Sequence, residues 1–272
     1  MPSTRPRFRT FLVALVVLVV IIGGFVAVLI VVRPGPIVVA GCSVGTYQMD
    51  PEQAQNAAVI ASVAEQRKLP HHAVTIAIAV AMQESRLRNL DHGDRDSLGL
   101  FQQRPSQGWG TAAQVQDPVY AAGAFFSRLV KVKDWQTIPV TVAGQAVQRS
   151  GRPDAYAQWE PRATAMARAL TGEVAAGMTC HYASSDIAVP STGLSTTLQS
   201  AAEHDLGSPV LGADLTAERG WLVVGWLISH AADQQLAQVS YAGQTWSATK
   251  GSWSPDPAVR SQVTIVRTQP KS

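Results

Sequence analysis

The chain has few cysteines, few charged residues and almost no charge imbalance. Among its 272 residues are two cysteines, and charged residues make up 15% of the total. The formal net charge is +3, which three arginines within the first ten residues (Arg5, Arg7 and Arg9) account for. Two distant cysteines do not make a zinc site, and a neutral remainder lacks the basic surface typical of nucleic-acid binding. We therefore expect no nucleic-acid partner. No Ser-His-Asp set, metal-ligand cluster or phosphate-binding loop stands out in the sequence, so no metal and no cofactor are expected.

One long uncharged run, residues 11–32, is the most prominent feature of the N-terminal part. About 20 apolar helical residues cross a bilayer, so the run predicts a transmembrane anchor. The arginines before it predict a cytoplasmic tail (1–10) and an extracytoplasmic remainder, as in a single-pass cell-membrane protein. A cleaved signal peptide is one alternative. A lipoprotein is another, because VVAGC at 38–42 resembles a lipoprotein cleavage box that would leave Cys42 lipidated.

The two cysteines, Cys42 and Cys180, both fall on the extracytoplasmic side of this anchor. That compartment permits disulfides. The cysteines also bracket the first folded segment, so we predict a bond between them unless Cys42 is lipidated. In the chain-entropy model, closing so long a loop would stabilise the fold by at most about 5 kcal/mol.

The rest of the chain divides by composition. We predict a linker (33–49), a domain that is mainly α-helical (50–181), a polar linker (182–213) and a small α+β module (214–272). Asp50-Pro51 and Asp117-Pro118 are typical helix starts, with an acidic N-cap and proline at the first helical position. The final module alternates apolar and polar residues between turns, which favours strands. Its many aromatic residues fill a small core or, alternatively, form a binding face.

Glu84 is the residue that raises the question of function. It lies near the end of AIAVAMQESRLRNL (77–90), a predicted helix with almost no polar face. A carboxylate in an apolar wall costs free energy unless it is paired, neutralised or used. Ser85 follows directly, and DSLGLFQQRP comes soon after in a predicted loop rich in Asp and Gly. Glu-Ser at the end of an apolar helix, followed at this distance by Ser-x-Gly-Leu-Phe-Gln, is a specific pattern.

On these motifs, the sequence resembles the lysozyme-like lytic transglycosylase family, the soluble-transglycosylase and goose-type-lysozyme group, in an actinobacterial membrane-anchored form. The resemblance covers about residues 50–172. It implies a lysozyme-like catalytic domain, with Glu84 as the single catalytic acid/base and peptidoglycan glycan strands as substrate. Of the third family motif, Ala-Tyr-Asn, only Ala146-Val147-Gln148 offers a match, without the tyrosine. The substrate-binding residues implied are Ser85, Asp94, Ser97, Gln102 and Gln148.

Two aromatic residues are also predicted to bind substrate, independently of the motif matches. Tyr156 lies near enough in sequence to Gln148 to supply the missing phenol, and Trp109 in SQGWG is suited to stacking on a sugar ring. Cell-wall or secretion-apparatus proteins are further possible partners of an anchored enzyme of this kind.

The chemistry expected of Glu84 is that of a general acid. It protonates the glycosidic oxygen between MurNAc and GlcNAc, and an apolar wall raises its pKa enough for it to do so. In the family, the same carboxylate then activates the sugar's own 6-hydroxyl and leaves a 1,6-anhydro-muramyl end. Two alternatives stay open. In one, Asp91, Asp94 or Asp96 holds a water and the enzyme is an inverting muramidase. In the other, the domain is an inactive glycan-binding scaffold.

Overall fold

The computed structural model describes residues 39–149, 154–184, 194–207, 213–258 and 261–268. The predicted tail, the predicted anchor (11–32) and the first part of linker 33–49 lie outside these ranges. The described residues contain nine α-helices: α1 Pro51–Gln66, α2 His71–Glu84, α3 Ala112–Val115, α4 Pro118–Leu129, α5 Val140–Gln148, α6 Glu160–Leu170, α7 Leu194–Leu206, α8 Ala217–Ser229 and α9 Ala231–Gln234. They also contain seven strands: β1 Gly41–Val44, β2 Tyr47–Met49, β3 Thr179–His181, β4 Leu236–Tyr241, β5 Gln244–Ser247, β6 Ser252–Pro255 and β7 Thr264–Arg267.

The helix starts predicted from Asp-Pro pairs are confirmed. At α1, the Asp50 carboxylate accepts from the Gln53 backbone N–H at 3.0 Å, and the Gln53 side chain accepts from the Asp50 N–H at 3.1 Å. This reciprocal capping box satisfies two backbone donors that the first helical turn leaves unpaired. At α4, Asp117 caps the helix through the Val119 N–H at 2.9 Å.

Helix α2 lies at the centre of the helical part. Its residues from Ala73 to Met82 are all buried, because α1, α4, α5 and α6 pack around it. A helix that is apolar on every side is expected in such a position. Glu84 is the last residue of this helix, so the surrounding helices determine how much water reaches it.

The first sheet, in the order β2-β1-β3, is antiparallel and joins the two ends of this helical part. Its β1–β3 register sets Cys42 opposite Cys180, and the two sulfurs form a disulfide. The predicted disulfide is therefore confirmed. A sulfur in a disulfide cannot also carry the thioether of a lipoprotein, so the lipidated alternative for Cys42 does not hold for this bonded form.

The second sheet, in the order β6-β5-β4-β7, belongs to the same compact unit as the helices, which extends from residue 39 onward. Trp246 donates to the Cys180 carbonyl at 3.0 Å, and Trp253 donates to the Met178 carbonyl at 2.9 Å. Helix α8 packs on α1, α6 and β4. The aromatic residues of the C-terminal part are thus mostly core, and Trp226 and Trp246 are fully buried.

The fold-class prediction was a mainly α lysozyme-like domain after one transmembrane helix, with a separate small α+β module, and it is wrong. Nine helices accompany two antiparallel sheets in the described ranges, and the C-terminal sheet shares its core with the helices. The alternation of β4 and β5 predicts strands but carries no information on which helices cover them. Strands β1 to β3 have three or four residues each, too few to show a period of two.

The transmembrane part of that prediction also finds no support. Across the residues that the structure describes, no helix combines the length and the apolar character needed to cross a bilayer. Segment 11–32, on which the prediction was based, lies outside them. The predicted polar linker 182–213 contains helix α7, which packs against α1. The many polar residues of this segment predict a linker. Its few apolar residues, such as Leu198 and Leu206, become buried only when the chain folds, and the sequence does not show what covers them.

Candidate active site

Glu84 lies where the apolar wall of α2 ends, and it is half-buried. The hydroxyl of Tyr156 donates to Glu84 Oε1 at 2.8 Å. Burial raises the pKa of Glu84 above its ordinary value of 4.5, and hydrogen bonds from Tyr156 and Gln148 offset part of that rise. Desolvation penalises the anion more than the two donors stabilise it, so the site favours a carboxylic acid that keeps its proton to higher pH.

Tyr156 reaches Glu84 through a gap that a glycine leaves open. Its ring is fully buried, and it packs beside Gly144 of α5. A Cβ at Gly144 would lie 2.7 Å from a methyl group of Val80 and 3.1 Å from the Tyr156 ring. Any larger residue would therefore crowd Val80 and the Tyr156 ring at this point. The sequence placed Tyr156 near the motif, and its predicted contact with substrate stays a prediction.

Gln148 connects the Glu84 carboxyl to the loop that follows α2. Its side-chain amide donates to the Phe101 carbonyl at 2.7 Å and also lowers the pKa of Glu84. Phe101 itself is fully buried and stacks on Phe125 of α4, with ring centroids 4.8 Å apart. The weakest of the motif matches thus lies beside Glu84 in the structure. Its predicted substrate contact is untested.

Ser85 ties the end of α2 to the same loop. Its hydroxyl is buried, 2.7 Å from the Leu100 carbonyl and 3.1 Å from the Ala81 carbonyl. These contacts fix the backbone around Glu84. They give the serine a structural role in addition to the predicted substrate contact, which stays a prediction.

Two left-handed residues turn the chain sharply after Ser85. Arg86 has φ 56° and Leu87 has φ 61°, a conformation that costs roughly 1–2 kcal/mol for each non-glycine residue. Helix α1 holds this turn, since Gln53 donates to the Arg86 carbonyl and Asn56 to the Leu87 carbonyl, both at 2.8 Å. Neither Gln53 nor Asn56 was predicted to support the site. Asn56 could have been suspected, because it is a polar residue in an otherwise apolar stretch of α1.

The loop carrying Ser97 and Gln102 is a tight turn that admits only glycine at Gly99. Its φ is 73°, and a Cβ there would collide with the Val115 carbonyl. The turn is closed by a pair of backbone hydrogen bonds between Leu98 and Gln103, each 3.0 Å long. Ser97 is buried, and the Gln102 amide donates to the His92 carbonyl at 3.2 Å and the Gly99 carbonyl at 3.3 Å. Gln102 therefore stabilises the loop itself, and the predicted substrate contacts of Ser97 and Gln102 stay predictions.

The three aspartates of the 91–96 loop have different surroundings. Asp96 bonds the Arg104 side chain at 2.8 Å and the Ser106 backbone N–H at 2.7 Å, and these contacts hold its pKa far below 3.8. Asp91 is exposed and pairs with His92 at 2.7 Å, which lowers its pKa. Asp94 is exposed, and its carbonyl accepts from the Ser97 N–H at 3.0 Å. Asp96 thus orders the loop through Ser106 and Arg104, and the alternative in which one of these aspartates holds a water stays a prediction.

Trp109 is buried, and Arg128 covers one of its faces. The guanidinium carbon lies 3.4 Å from the ring centroid, a cation–π contact. The ring is therefore not an open platform for a sugar, and its predicted stacking role would require Arg128 to move.

Comparison with family models and with curated proteins does not identify a family for the chain. No protein-family model matches the chain. No curated protein matches it either. In the described ranges, no group of three or more His, Cys, Asp or Glu side chains is arranged to hold a metal ion.

Proposed function

We propose that the chain is a peptidoglycan lytic transglycosylase that cleaves the β-1,4 bond between MurNAc and GlcNAc, with Glu84 as the only acid/base. One observation carries the proposal. Glu84 ends an apolar helix, its pKa is raised by burial, and the Tyr156 hydroxyl holds one of its oxygens. A carboxyl group of this kind suits general acid catalysis near neutral pH. The Glu-Ser and Gly-Leu-Phe-Gln motifs resemble those of that family, and the proposed substrate is inferred from this resemblance.

The proposed reaction needs one carboxyl group in two protonation states. Glu84 gives its proton to the glycosidic oxygen as the bond from MurNAc C1 to that oxygen breaks, which releases the GlcNAc hydroxyl. The Glu84 anion then takes the proton of the MurNAc 6-hydroxyl, and that oxygen bonds to C1. The products are a 1,6-anhydro-muramyl end and a regenerated acid. No water is consumed, so no second carboxylate is needed to hold one, in contrast to ordinary glycosidases.

The disulfide favours an extracytoplasmic location, which is where peptidoglycan lies. Cys42 and Cys180 are bonded, and such bonds persist in oxidising compartments and are rare in the cytosol. We therefore place the proposed activity outside the cytoplasm, on glycan strands of the wall, where cell-wall or secretion-apparatus proteins are its expected neighbours.

The test is mass spectrometry of the products released from purified peptidoglycan by the full-length chain. We expect abundant anhydro-muramyl ends with the native chain and about a hundredth of that amount or less with Glu84→Gln. Glu203→Gln is the matched control, because Glu203 is an exposed carboxylate on α7 that bonds only to Gln199 among the described residues. Reducing ends in place of anhydro ends would assign the chain to the muramidases. Binding without any Glu84-dependent product would make it a glycan-binding protein.

A further inference from the structure

An open groove lies between α1 and α4, and residues 108–109 also line it. Its volume is about 490 Å³. Helix α4 lines it with Tyr120, Ala124, Ser127 and Arg128, which lie on one side of the helix because each is three, four or seven positions from another of them, and Lys131 follows just beyond the helix end. Helix α1 forms the opposite wall with Val63, Gln66 and Arg67. We call this feature the cationic groove.

The charges that line the cationic groove are all positive. Arg67, Arg128 and Lys131 face it, and no Asp or Glu lines it. The salt bridges found among the described residues involve none of these three cations. Some other cations of the described residues do have acidic partners, such as Arg88 with Asp50 and Arg168 with Glu173. Three unpaired cations around one groove are what an anionic ligand requires.

Two of the three guanidinium or ammonium groups are held in place. Arg67 donates to the Ser127 hydroxyl at 2.9 Å and crosses α4 at Gly123, where a Cβ would lie 3.1 Å from the guanidinium. Arg128 rests on the Trp109 ring, and its Nη2 lies 3.2 Å from the Gly108 carbonyl. Fixed guanidinium groups lose little conformational entropy when they bind a carboxylate. The groove is therefore organised before any ligand arrives.

Gln148, the last residue of α5, and Arg149, which follows it, interact with Glu84 and with the groove respectively. Gln148 reaches the Glu84 carboxyl, and the next residue, Arg149, lies close enough to Arg128 to lower its pKa by charge repulsion, in addition to the lowering caused by burial. The end of α5 therefore relates the Glu84 carboxyl, through Gln148, to Arg128 of the groove, through Arg149.

We infer that the cationic groove binds the carboxylates of the peptide stems carried by the glycan strand whose backbone lies at Glu84. The inference rests on the proposed function, because that function brings stem-bearing MurNAc residues to Glu84. Guanidinium groups bind carboxylates through paired, charge-assisted hydrogen bonds. Because the stem is attached to the sugar whose bond is cut, every strand bound at Glu84 brings stem carboxylates to the protein, and Arg67, Arg128 and Lys131 are the cations proposed to bind them. The groove thus selects stem-bearing strands over bare glycan.

The test measures binding rather than turnover, in full-length Glu84→Gln protein. Purified peptidoglycan is used with its stems and after an amidase has removed them, in both cases freed of phosphate-containing wall polymers. In this background, Arg67→Gln with Lys131→Gln removes two groove cations. Lys68→Gln with Lys133→Gln removes two exposed neighbours that do not line the groove. We expect about tenfold weaker binding of stem-bearing material for the groove pair, as for two exposed ionic contacts.

The control pair should bind like the parent protein, and the groove pair should bind stem-free glycan like the parent. Equal losses in both pairs, or an equal loss on stem-free glycan, would overturn the inference. A third sample that retains its phosphate polymers identifies the other source of anions. A loss seen only with that sample would assign the groove to phosphodiesters and refute stem recognition. Since no step requires cleavage, a failure of the proposed catalysis would leave this readout intact.

Discussion

Glu84 and Asp96 carry the same functional group, and the fold moves their pKa values in opposite directions. Glu84 faces an apolar wall with a phenol and an amide as its donors, and burial dominates, so its pKa is raised. Asp96 lies in a polar loop, where the Ser106 and Arg104 contacts dominate and its pKa is lowered. The comparison separates a carboxyl group suited to proton transfer from one suited to holding a loop together.

The largest expected effect is on activity. Glu84→Gln should reduce cleavage on the order of 100-fold to 10,000-fold, the usual contribution of a general acid. Asp94→Asn should reduce it by about tenfold or less, as for the loss of one exposed contact with substrate. Product release from peptidoglycan measures both. An equally large loss with Asp94→Asn would mean that the loop supplies a catalytic carboxylate, and the contrast between the two regions would fail.

The second effect is on the pH dependence of the rate. Tyr156→Phe removes a donor that stabilises the Glu84 anion, so the pKa of Glu84 should rise further and the basic limb of the pH–rate profile should move to higher pH. The profile is measured across the neutral range with the same substrate. Tyr182→Phe is the control, because Tyr182 is equally buried but bonds the Ile228 and Ser229 carbonyls. A shift with Tyr182→Phe, or none with Tyr156→Phe, would contradict the assignment of Tyr156.

The third effect is on stability, and its sign differs between the two regions. Because the folded-state pKa of Glu84 is raised, the stabilising contribution of this side chain is complete below pH 4.5 and is lost as the pH rises through the raised pKa. Glu84→Gln should therefore increase the urea midpoint near pH 7.5 relative to the native chain. The difference should vanish at pH values below 4.5, where the native side chain is also neutral.

Asp96→Asn should do the reverse. The folded-state pKa of Asp96 is lowered, so its contribution to stability is present above pH 3.8 and is lost as the pH falls through the lowered pKa. The variant should have a lower urea midpoint than the native chain at pH 7.5, and the gap should narrow below pH 3.8. Changes of the same sign in both variants would show that burial and ion pairing do not distinguish the two carboxyl groups.

The smallest effect is expected at Asp91. Its side chain and that of His92 are among the most exposed in the loop, and an exposed pair of this kind contributes little. Asp91→Asn should leave both the cleavage rate and the urea midpoint within experimental error, at low and at high salt. A clear loss of activity would give this aspartate a place in the site that its exposure does not suggest.

Much of the helical framework was predictable because its signals are local. Asp50 and Asp117 predict helix starts from neighbouring residues, and the apolar run before Glu84 predicts a buried helix with a carboxylate at its end. The short strands around Cys42 and Cys180 were not predictable in this way, since their partners lie more than a hundred residues apart. The disulfide could be expected from compartment and spacing, but the sheet that aligns the two cysteines could not.

The candidate site divides in the same manner. Sequence motifs singled out Glu84, Ser85 and Gln102. The support of the turn at Arg86 and Leu87 by Gln53 and Asn56, and the grouping of Arg67 with Arg128 and Lys131, depend on how α1 packs against its neighbours. A cation on one helix gives no local indication of the cations on the next.

The sequence by itself determined that a carboxylate would end an apolar helix and that a polar, aspartate-rich loop would follow, because both are properties of consecutive residues. Only the tertiary structure decided the protonation of these groups. The Tyr156 hydroxyl and the burial around Glu84 arise from contacts between separate elements, and the pairing of Asp96 with Arg104 depends on how the loop folds back on itself. A pKa reports the water, charges and donors around a group, and the fold, not the neighbouring residues in the chain, sets those surroundings.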